Sequence, residues 1–292
     1  MLDRLDLFTI LARTRHFGRA AEEAGITQPS LSAAIRQLEN QLGVVLVNRG
    51  SRFQGLTPEG EQVLAWARRL TADVRTMKEE LRTAREGLSG RLHLAVIPTA
   101  LTAAARLSAA SAARHPGLRL TITSASSAEI LAGLEDLSID VGLTYLDNEP
   151  LGRARSQPLY DERYVLVTRA DEAPGSKTLP WAALEGMTLC LLTPEMQNRR
   201  IIDGHLAEAG VTAHPQVETN STITLVSHVL SGGWATILPS RAAEAFLATG
   251  PLSATPLTAP DARHQVGLVY PPRDPLPPLL KAFLAEAKAF AE

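Results

Sequence analysis

The stretch ITQPSLSAAIRQLENQLG, residues 26–43, carries two patterns at once. Its apolar residues recur at the spacing of one helix face, which predicts an α-helix with one buried side. Thr27 is a suitable N-cap for this helix, and Pro29 suits its first turn. The apolar residues are Leu31, Ile35, Leu38 and Leu42. The other side is polar and slightly basic, with few carboxylates, and consists of Gln28, Ser30, Ser32, Arg36 and Asn40.

Length and composition limit the class of protein. A chain of 292 residues is long enough for two or three domains, each with its own core. With 45% hydrophobic and 21% charged residues, it is expected to be soluble and globular. No apolar run reaches the ~18 to 20 residues of a membrane span, and the start MLDRLDLF lacks the apolar core of a secretory signal. We therefore expect a cytoplasmic protein that makes no membrane contact.

Charge and cysteine content add two expectations. Residues 1–90 hold 13 Lys and Arg against 11 Asp and Glu, whereas residues 91–292 hold 16 against 20. This mild asymmetry permits DNA binding by the first part, although charge alone would not suggest it. The one cysteine, Cys190, lies in the apolar run MTLCLLT, which favours a buried thiol without redox chemistry over a reactive one.

The sequence before residue 26 predicts two short helices, in DRLDLFTILAR and GRAAEEAG. A connection of about three residues at Gly25 and Ile26 has the length of the turn in a helix-turn-helix. Small alanines on the second helix would allow the close packing that this turn requires. The third helix would then present its N-terminal end to base edges in the DNA major groove. The alternative is a solvated face in an ordinary small helical bundle.

The segment VVLVNRGSRFQGLTPEG after the third helix predicts a winged hairpin. Its Gly-Ser tip is flanked by Arg49 and Arg52, which suit contact with phosphates or insertion in the minor groove. A further helix should follow, with Thr57 as N-cap and Pro58 at its first position. The wing makes the bundle alternative much weaker.

The helix from Pro58 shows an apolar repeat with alternating spacings of four and three residues. Such a heptad seam predicts pairing with the same helix of a second subunit, because a helix packed on its own domain normally shows a wider stripe. Pairing would double the number of arginines at the DNA. The seam consists of Val63, Ala67, Leu70, Val74, Met77, Leu81, Ala84 and Leu88, of which Val63, Leu70, Val74, Met77 and Leu81 are the predicted dimerisation residues.

Residues 2–88 resemble the DNA-binding half of a LysR-type transcriptional regulator, through LFTILARTRHFGRAAEEAGITQPSLSAAIRQLENQLGVVLVNRG and LTPEG. Two departures lie at Ala33 and Ala34, where many relatives carry a long polar residue, and at Val47, where an aromatic is usual. Base reading should therefore depend on Gln28, on Arg36 and on DNA shape. The resemblance implies that Gln28, Pro29, Ser32 and Arg36 lie at the groove and Arg49 and Arg52 on the backbone; Ser30 completes the predicted DNA-binding set.

Strands and helices alternate after Gly90. RLHLAVI, LRLTITS and IDVGLTY predict buried parallel strands, and YVLVTR begins a second set. This pattern fits two α/β lobes joined by crossovers near Tyr160 and near Gln265. The looser family resemblance here implies a periplasmic-binding-protein-like effector domain. The predicted α/β organisation is a winged helix-turn-helix at 1–57, a dimerising linker helix at 58–89 and an effector-binding domain at 90–292, with lobe one at about 90–160 and 266–292 and lobe two at about 161–265.

The predicted effector site lies beyond the carboxyl ends of the strands, where ligands bind in open α/β sheets. Small hydrogen-bonding groups at helix starts favour a small carboxylate or inorganic anion there, for example formate. Arg199 and Arg200 are candidate counter-charges, and the alternative for the hydroxyls is plain helix capping. The predicted lining is Pro98, Thr99, Ala100, Thr102, Ser126, Ser127, Thr144, Tyr145, Thr193, Asn220 and Ser221, with Thr222 beside them.

An enzyme is disfavoured, because none of the common nucleophile, phosphate-binding or dinucleotide-binding motifs occurs in a strand-turn-helix context. The seven histidines are scattered, so we expect no metal and no cofactor, and His228 should be a packing histidine. We expect a ligand-responsive transcriptional regulator that forms dimers and tetramers, binds promoter DNA and bends it; RNA polymerase is a further candidate partner. A solute receptor without a DNA role is the second alternative.

Overall fold

The computed structural model describes residues 1–49, 53–248 and 250–291, with the side chains of Arg49 and Ala291 left aside. Two compact units divide the chain, Met1–Arg85 and Glu86–Glu292. Within the described ranges, no helix combines the length and the apolarity needed to cross a bilayer.

The first unit is a winged helix-turn-helix, as predicted. Its elements are α1 (Leu2–Thr14), α2 (Phe17–Glu23), α3 (Gln28–Leu42), β1 (Val47–Arg49), β2 (Phe53–Leu56) and α4 (Pro58–Glu86). The Thr27 hydroxyl accepts a hydrogen bond from the Ser30 N–H at 3.3 Å and so caps α3. Apolar side chains of the first three helices are fully buried together, and buried Ala20 and Ala21 let α2 pack closely.

Two polar side chains, Glu39 and Thr57, hold the wing against the helices. The role of Glu39 was not predicted from the sequence. The buried carboxylate of Glu39, near the end of α3, accepts hydrogen bonds from the N–H groups of Leu46 at 3.0 Å and Val47 at 3.4 Å. The Thr57 hydroxyl caps α4 by accepting from the Gly60 N–H at 2.9 Å, and it donates to the Val45 carbonyl at 2.6 Å. These bonds tie both ends of the hairpin to helices.

The second unit contains the remaining elements. Its strands are β3 (Gly90–Val96), β4 (Leu118–Ser124), β5 (Val141–Tyr145), β6 (Arg155–Glu162), β7 (Tyr164–Arg169), β8 (Leu179–Pro180), β9 (Cys190–Leu192), β10 (Val217–Thr219), β11 (Thr236–Pro239), β12 (Leu252–Thr258) and β13 (His264–Tyr270). Its helices are α5 (Leu101–Arg114), α6 (Ser127–Glu135), α7 (Gln197–Glu208), α8 (Thr222–Ser231), α9 (Ser240–Leu247) and α10 (Pro278–Ala291), with short 3₁₀ turns at Pro98–Ala100, Ala170–Glu172 and Trp181–Leu184.

These elements form two α/β lobes. Lobe one has a five-stranded sheet in the order β4-β3-β5-β13-β6. Strand β3 pairs parallel with β4 and β5, as predicted, whereas β13 pairs antiparallel with β5 and β6. Lobe two has a sheet in the order β11-β7-β12-β8 and a parallel β9-β10 pair, which a bridge between Leu189 and Ala235 links to β11. The chain passes between lobes after β6 and again before β13.

The structure differs from the sequence predictions at several elements. Strands β6 and β12 were not predicted, because each contains a proline and mixes polar with apolar residues. Strand β4 was predicted to be buried, but it lies at the sheet edge and Leu118 is its one buried residue. The first crossover follows Glu162 and the second precedes His264, close to the predicted positions.

Helix α4 ends at Glu86 rather than at residue 89. Gly87 adopts a left-handed φ of 81°, which stops the helix. Leu88 therefore leaves the apolar repeat and packs against the core of the second unit. The repeat is helical only as far as Ala84.

Candidate DNA interface and effector site

The polar face of α3 is open to solvent. Gln28 begins the helix, and Gln28, Ser32 and Arg36 follow one another at four-residue intervals on the side away from the buried leucines. Gln28 and Arg36 are exposed and Ser32 is half-buried, while Pro29 and Ser30 are exposed in the first turn. Gln37 is also exposed beside Arg36 and was not among the predicted residues. This arrangement can offer amide, hydroxyl and guanidinium groups to base edges.

The side chains of the two predicted DNA-contacting arginines of the wing cannot be placed. Arg49 ends β1 and its side chain is not described, and Arg52 lies outside the described residues. Both stay predictions from the sequence.

Apolar side chains on α4 are exposed along one stripe of the helix. Leu70 is 41% exposed, Met77 52% and Leu81 62%. Trp66, four residues before Leu70, is 63% exposed on the same stripe, although the strict four-three spacing did not include it. Val74 is half-buried, and Val63 packs against the core of the first unit. An apolar stripe of this size on a helix is a candidate surface for a second protein chain.

A cavity of about 390 Å³ lies at the carboxyl ends of the strands in the second unit. Four of the predicted effector residues line it, namely Pro98, Ser126, Asn220 and Ser221, together with Thr222. The hydroxyls of Ser126 and Ser221 cap α6 and α8, accepting from the N–H groups of Glu129 and Thr224. These two hydroxyls therefore act as helix caps, which was the alternative to ligand binding.

Other predicted residues lie deeper at the same strand ends. The hydroxyls of Thr99 and Thr144 are buried without a hydrogen-bond partner among the described residues. Thr99 follows β3 and Thr144 lies in β5, and these two strands are paired neighbours in the sheet. Buried polar groups without a partner are rare, and a ligand is one way to satisfy them.

The remaining predicted residues are distributed around this region. Ala100 is buried in the turn with Thr99, Thr102 is half-buried in the first turn of α5, and Thr193 follows β9. The Ser127 hydroxyl lies 3.5 Å from a Glu149 carboxylate oxygen. The structure therefore does not gather all the predicted residues around one cavity.

Sequence reasoning missed the first two residues of α7. Gln197 and Asn198 are both 3% exposed, and each has a side-chain carbonyl oxygen without a partner in the described part of the chain. Their amide groups reach lobe one: Gln197 donates to the Asp147 carbonyl at 3.0 Å and Asn198 to the Tyr145 hydroxyl at 2.9 Å. Only the fold brings these residues to the ends of the lobe-one strands.

The two candidate counter-charges are committed to protein carboxylates. Buried Arg199 bonds to Asp203 at 2.8 Å and Glu218 at 2.6 Å. Arg200 pairs with Glu149 at 2.6 Å. The expectation that either arginine serves as a free counter-charge is therefore not supported by their geometry.

Tyr145 belongs to a buried polar network between the lobes. Its hydroxyl donates to Glu162 at 2.7 Å, and the Tyr164 hydroxyl lies 3.4 Å away. Burial raises the pKa of Glu162 to about 8, although the hydrogen bond from Tyr145 opposes the shift. Glu162 is therefore protonated at neutral pH.

Cys190 and His228 have structural roles, as predicted. Cys190 is fully buried in β9, its sulfur lies 3.6 Å from two backbone carbonyl oxygens, and burial raises the pKa of its thiol to about 11. The ring of His228 bonds to the Thr224 carbonyl at 2.9 Å and packs edge-on against Trp234. Within the described residues, no group of three or more His, Cys, Asp or Glu residues is arranged to hold a metal ion.

Comparison with known protein families gives two matches that together cover nearly the whole chain. Residues 2–61 match the family described as bacterial regulatory helix-turn-helix protein, lysR family. Residues 85–292 match the LysR substrate binding domain.

Individual relatives agree with this result. The chain is 31% identical over 276 residues to the DNA-binding transcriptional dual regulator OxyR of Escherichia coli K12, covering 93% of this chain and 90% of the relative. It is 34% identical over 251 residues to a probable hydrogen peroxide-inducible genes activator of Streptomyces viridosporus, covering 83% and 78%. A full-length OxyR variant from Pseudomonas aeruginosa superposes with a TM-score of 0.80 at 25% identity, covering 99% of this chain and 94% of that structure. The chain belongs to the LysR family of DNA-binding transcriptional regulators, with a helix-turn-helix unit followed by an effector-binding unit.

Proposed function

We propose that this regulator binds operator DNA through α3 and the wing, and that a small carboxylate or inorganic anion in the second unit controls it. The cavity of about 390 Å³, with the buried hydroxyls of Thr99 and Thr144 at the same strand ends, carries this proposal. An occupant would shift the population between two tetramer shapes and so change the bend of the DNA. Because its target is DNA, we place the protein in the cytoplasm.

Reading of the operator should depend on α3. We expect Arg36→Ala and Gln28→Ala each to weaken operator binding by ~1 to 3 kcal/mol and to relax base preference. Fluorescence anisotropy with the operator and with unrelated DNA would measure both effects. Asn40→Ala, further along the helix from its N-terminal end, is the control and should change affinity less. Equal losses of affinity on all sequences for Arg36→Ala would assign this arginine to phosphate contact.

Assembly is supported by apolar surfaces on both units. The α4 stripe of Trp66, Leu70, Met77 and Leu81 fits pairing with the same stripe of a second copy. In the second unit, Ile122 on the edge strand β4 and Ile223 and Leu230 on α8 are 38%, 68% and 40% exposed. Separate surfaces of this kind would allow dimers to form through α4 and tetramers through the effector units.

The hydrogen-bonding groups near the cavity favour an anion or an acid as the ligand. The hydroxyls of Thr99 and Thr144 can donate to an anion, and the free amides at the start of α7 add a positive partial charge. Gln197 and Asn198 offer carbonyl oxygens that could accept from a hydroxyl or a protonated carboxyl group. Formate or a similarly small acid meets these requirements.

Thr144→Val tests the ligand site with little change in shape. Because the hydroxyl has no partner in the described protein, we expect the variant to fold normally and to bind the effector at least tenfold more weakly, by about 1.4 kcal/mol. Calorimetry with a panel of small carboxylates and inorganic anions would identify the ligand and measure the loss. Ser111→Ala, which removes another buried hydroxyl from α5, is the matched control. Unchanged ligand binding by Thr144→Val would place the effector elsewhere.

The names of the relatives raise a peroxide response as a second reading. A thiol reacts with oxidants as its thiolate, which needs a lowered pKa and access to solvent. The one cysteine of this chain, Cys190, is buried and its thiol pKa is raised to about 11. We therefore propose an effector that binds without oxidising this cysteine.

A further inference from the structure

Two histidines join the lobes of the second unit. His205 lies on α7 in lobe two, and His264 begins β13 in the sheet of lobe one. Their Nε2 atoms are 2.8 Å apart, which is a hydrogen-bond distance. The side chains are 17% and 10% exposed. An imidazole–imidazole hydrogen bond therefore forms part of the contact between lobes.

The outer nitrogen of each ring faces a carboxylate. Nδ1 of His264 lies 3.2 Å from Asp147 Oδ2 and 2.9 Å from the Asn148 amide. Nδ1 of His205 lies 3.6 Å from Glu208 Oε2. The pair is thus bracketed by one acidic group from the loop after β5 and one from α7.

Water can reach the pair through a cavity of about 300 Å³ that both histidines line. Arg200 and Glu149 also line this cavity, and they neutralise each other in an ion pair. A proton from solvent therefore has a path to the histidines.

Aromatic and acidic groups complete the surroundings on the inner side. Tyr164 from β7 lies with its ring centroid 6.0 Å from His264 and 6.3 Å from His205, and Tyr145 from β5 lies 6.4 Å from His264. Glu162 of β6 is the strand neighbour of His264. The Trp181 ring lies 5.2 Å from His205. Because burial raises the pKa of both tyrosines and of Glu162, these groups are neutral at pH 7 and below.

The number of protons on the two imidazole rings decides whether the hydrogen bond between His205 and His264 can form. A neutral imidazole has one N–H and one acceptor nitrogen, so two neutral rings can share one Nε2 proton. With one added proton, the shared bond persists and both Nδ1 atoms carry hydrogens. That of His264 can donate to Asp147 once the Asn148 amide turns its NH2 group, now 2.9 Å away, from this nitrogen. That of His205 faces Glu208 at 3.6 Å, which is an ion-pair contact longer than a hydrogen bond. With two added protons, both Nε2 atoms carry hydrogens that point at each other across 2.8 Å, and the rings must separate.

We propose that His205 and His264 form a proton-operated latch between the two lobes, which stays closed with at most one added proton and opens when both rings are protonated. Burial and the charge of a protonated His264 lower the pKa of His205, so a second proton binds to the pair less readily than the first. Opening would break the hydrogen bond between α7 and β13 and so loosen the contact between the lobes.

The test uses the full-length protein with Trp66→Phe and Trp234→Phe, so that Trp181 is its only tryptophan. NMR of ring-labelled histidines and Trp181 emission are recorded together from about pH 8 to about pH 4.5, which spans the titration range of histidine. We expect the pair to take up its two protons in separate steps, because the first proton repels the second across the 2.8 Å contact, and we expect the emission change in the second step. His205→Gln should leave His264 with a single step and remove the acid emission change, whereas the control His228→Gln should alter neither.

Independent protonation of the two rings in the otherwise unchanged protein would overturn the latch, and this result does not require the glutamine variant to fold. An acid emission change that persists unaltered in His205→Gln would overturn it as well.

Discussion

Replacing Leu70 and Leu81 with aspartate is expected to convert the protein to monomers and to remove operator binding. Both side chains belong to the exposed stripe on α4, at 41% and 62% exposure. If the stripe pairs with a second copy, each aspartate places a charge in an apolar interface, which costs several kcal/mol. A monomer then loses the second DNA contact, so operator affinity should fall on the order of 100- to 10,000-fold.

Sedimentation velocity and anisotropy with operator DNA would follow the two effects. Arg82→Asp, at an exposed position on another side of the helix, introduces the same side chain and should leave both the dimer and DNA binding close to normal. The second unit should stay folded in all variants, because these positions belong to the first unit. If the double variant still forms a dimer through α4, the hypothesis that Leu70 and Leu81 hold the two helices together is wrong.

The second large effect concerns pH and Glu162. Because burial raises the pKa of Glu162 from 4.5 to about 8, the folded protein keeps this proton between these two pH values, whereas the unfolded chain loses it. The folded state then binds more protons, so stability falls as pH rises through this window and levels off above about pH 8. Over the whole window the loss from this one group is on the order of 5 kcal/mol.

Glu162→Gln removes this titration while its carbonyl oxygen can still accept from Tyr145. We expect urea unfolding midpoints of the variant to rise relative to the unaltered protein as pH increases from about 5 to about 9, across the window in which the native carboxyl titrates. Glu185→Gln, an exposed carboxylate in lobe two, should show no such trend. Parallel loss of stability in the Glu162→Gln variant and the unaltered protein would mean that Glu162 is ionised in the folded state.

The winged helix-turn-helix could be predicted because its signals are local. The cap at Thr27, the apolar face of α3 and the start of α4 at Pro58 each depend on residues within one or two helical turns. The parallel strands β3 and β5 followed from short apolar runs in the same way. The heptad prediction departs from the structure at both ends: Val63 and Ala67 pack in the core of the first unit, and Leu88 lies beyond Gly87, where the helix has ended.

The candidate effector site was less predictable, because long-range contacts decide the role of each polar residue. Ser126 and Ser221 were named for their position at helix starts, and both hydroxyls act as caps. Gln197 and Asn198 carry no motif and gain meaning only when α7 meets β5. Likewise, His205 and His264 are far apart in the sequence, and no periodic pattern indicates that they bond.

The chain leaves the sheet of lobe one and returns to it at the same place. Glu162, at the end of β6, and His264, at the start of β13, are direct partners in the antiparallel ladder. Residues 163–263 are therefore, in topological terms, a single long hairpin loop inserted into a complete five-stranded sheet. A short turn could replace residues 163–263 and join β6 directly to β13. Recombination at this one junction could therefore exchange the second lobe as a unit without breaking any strand of the first.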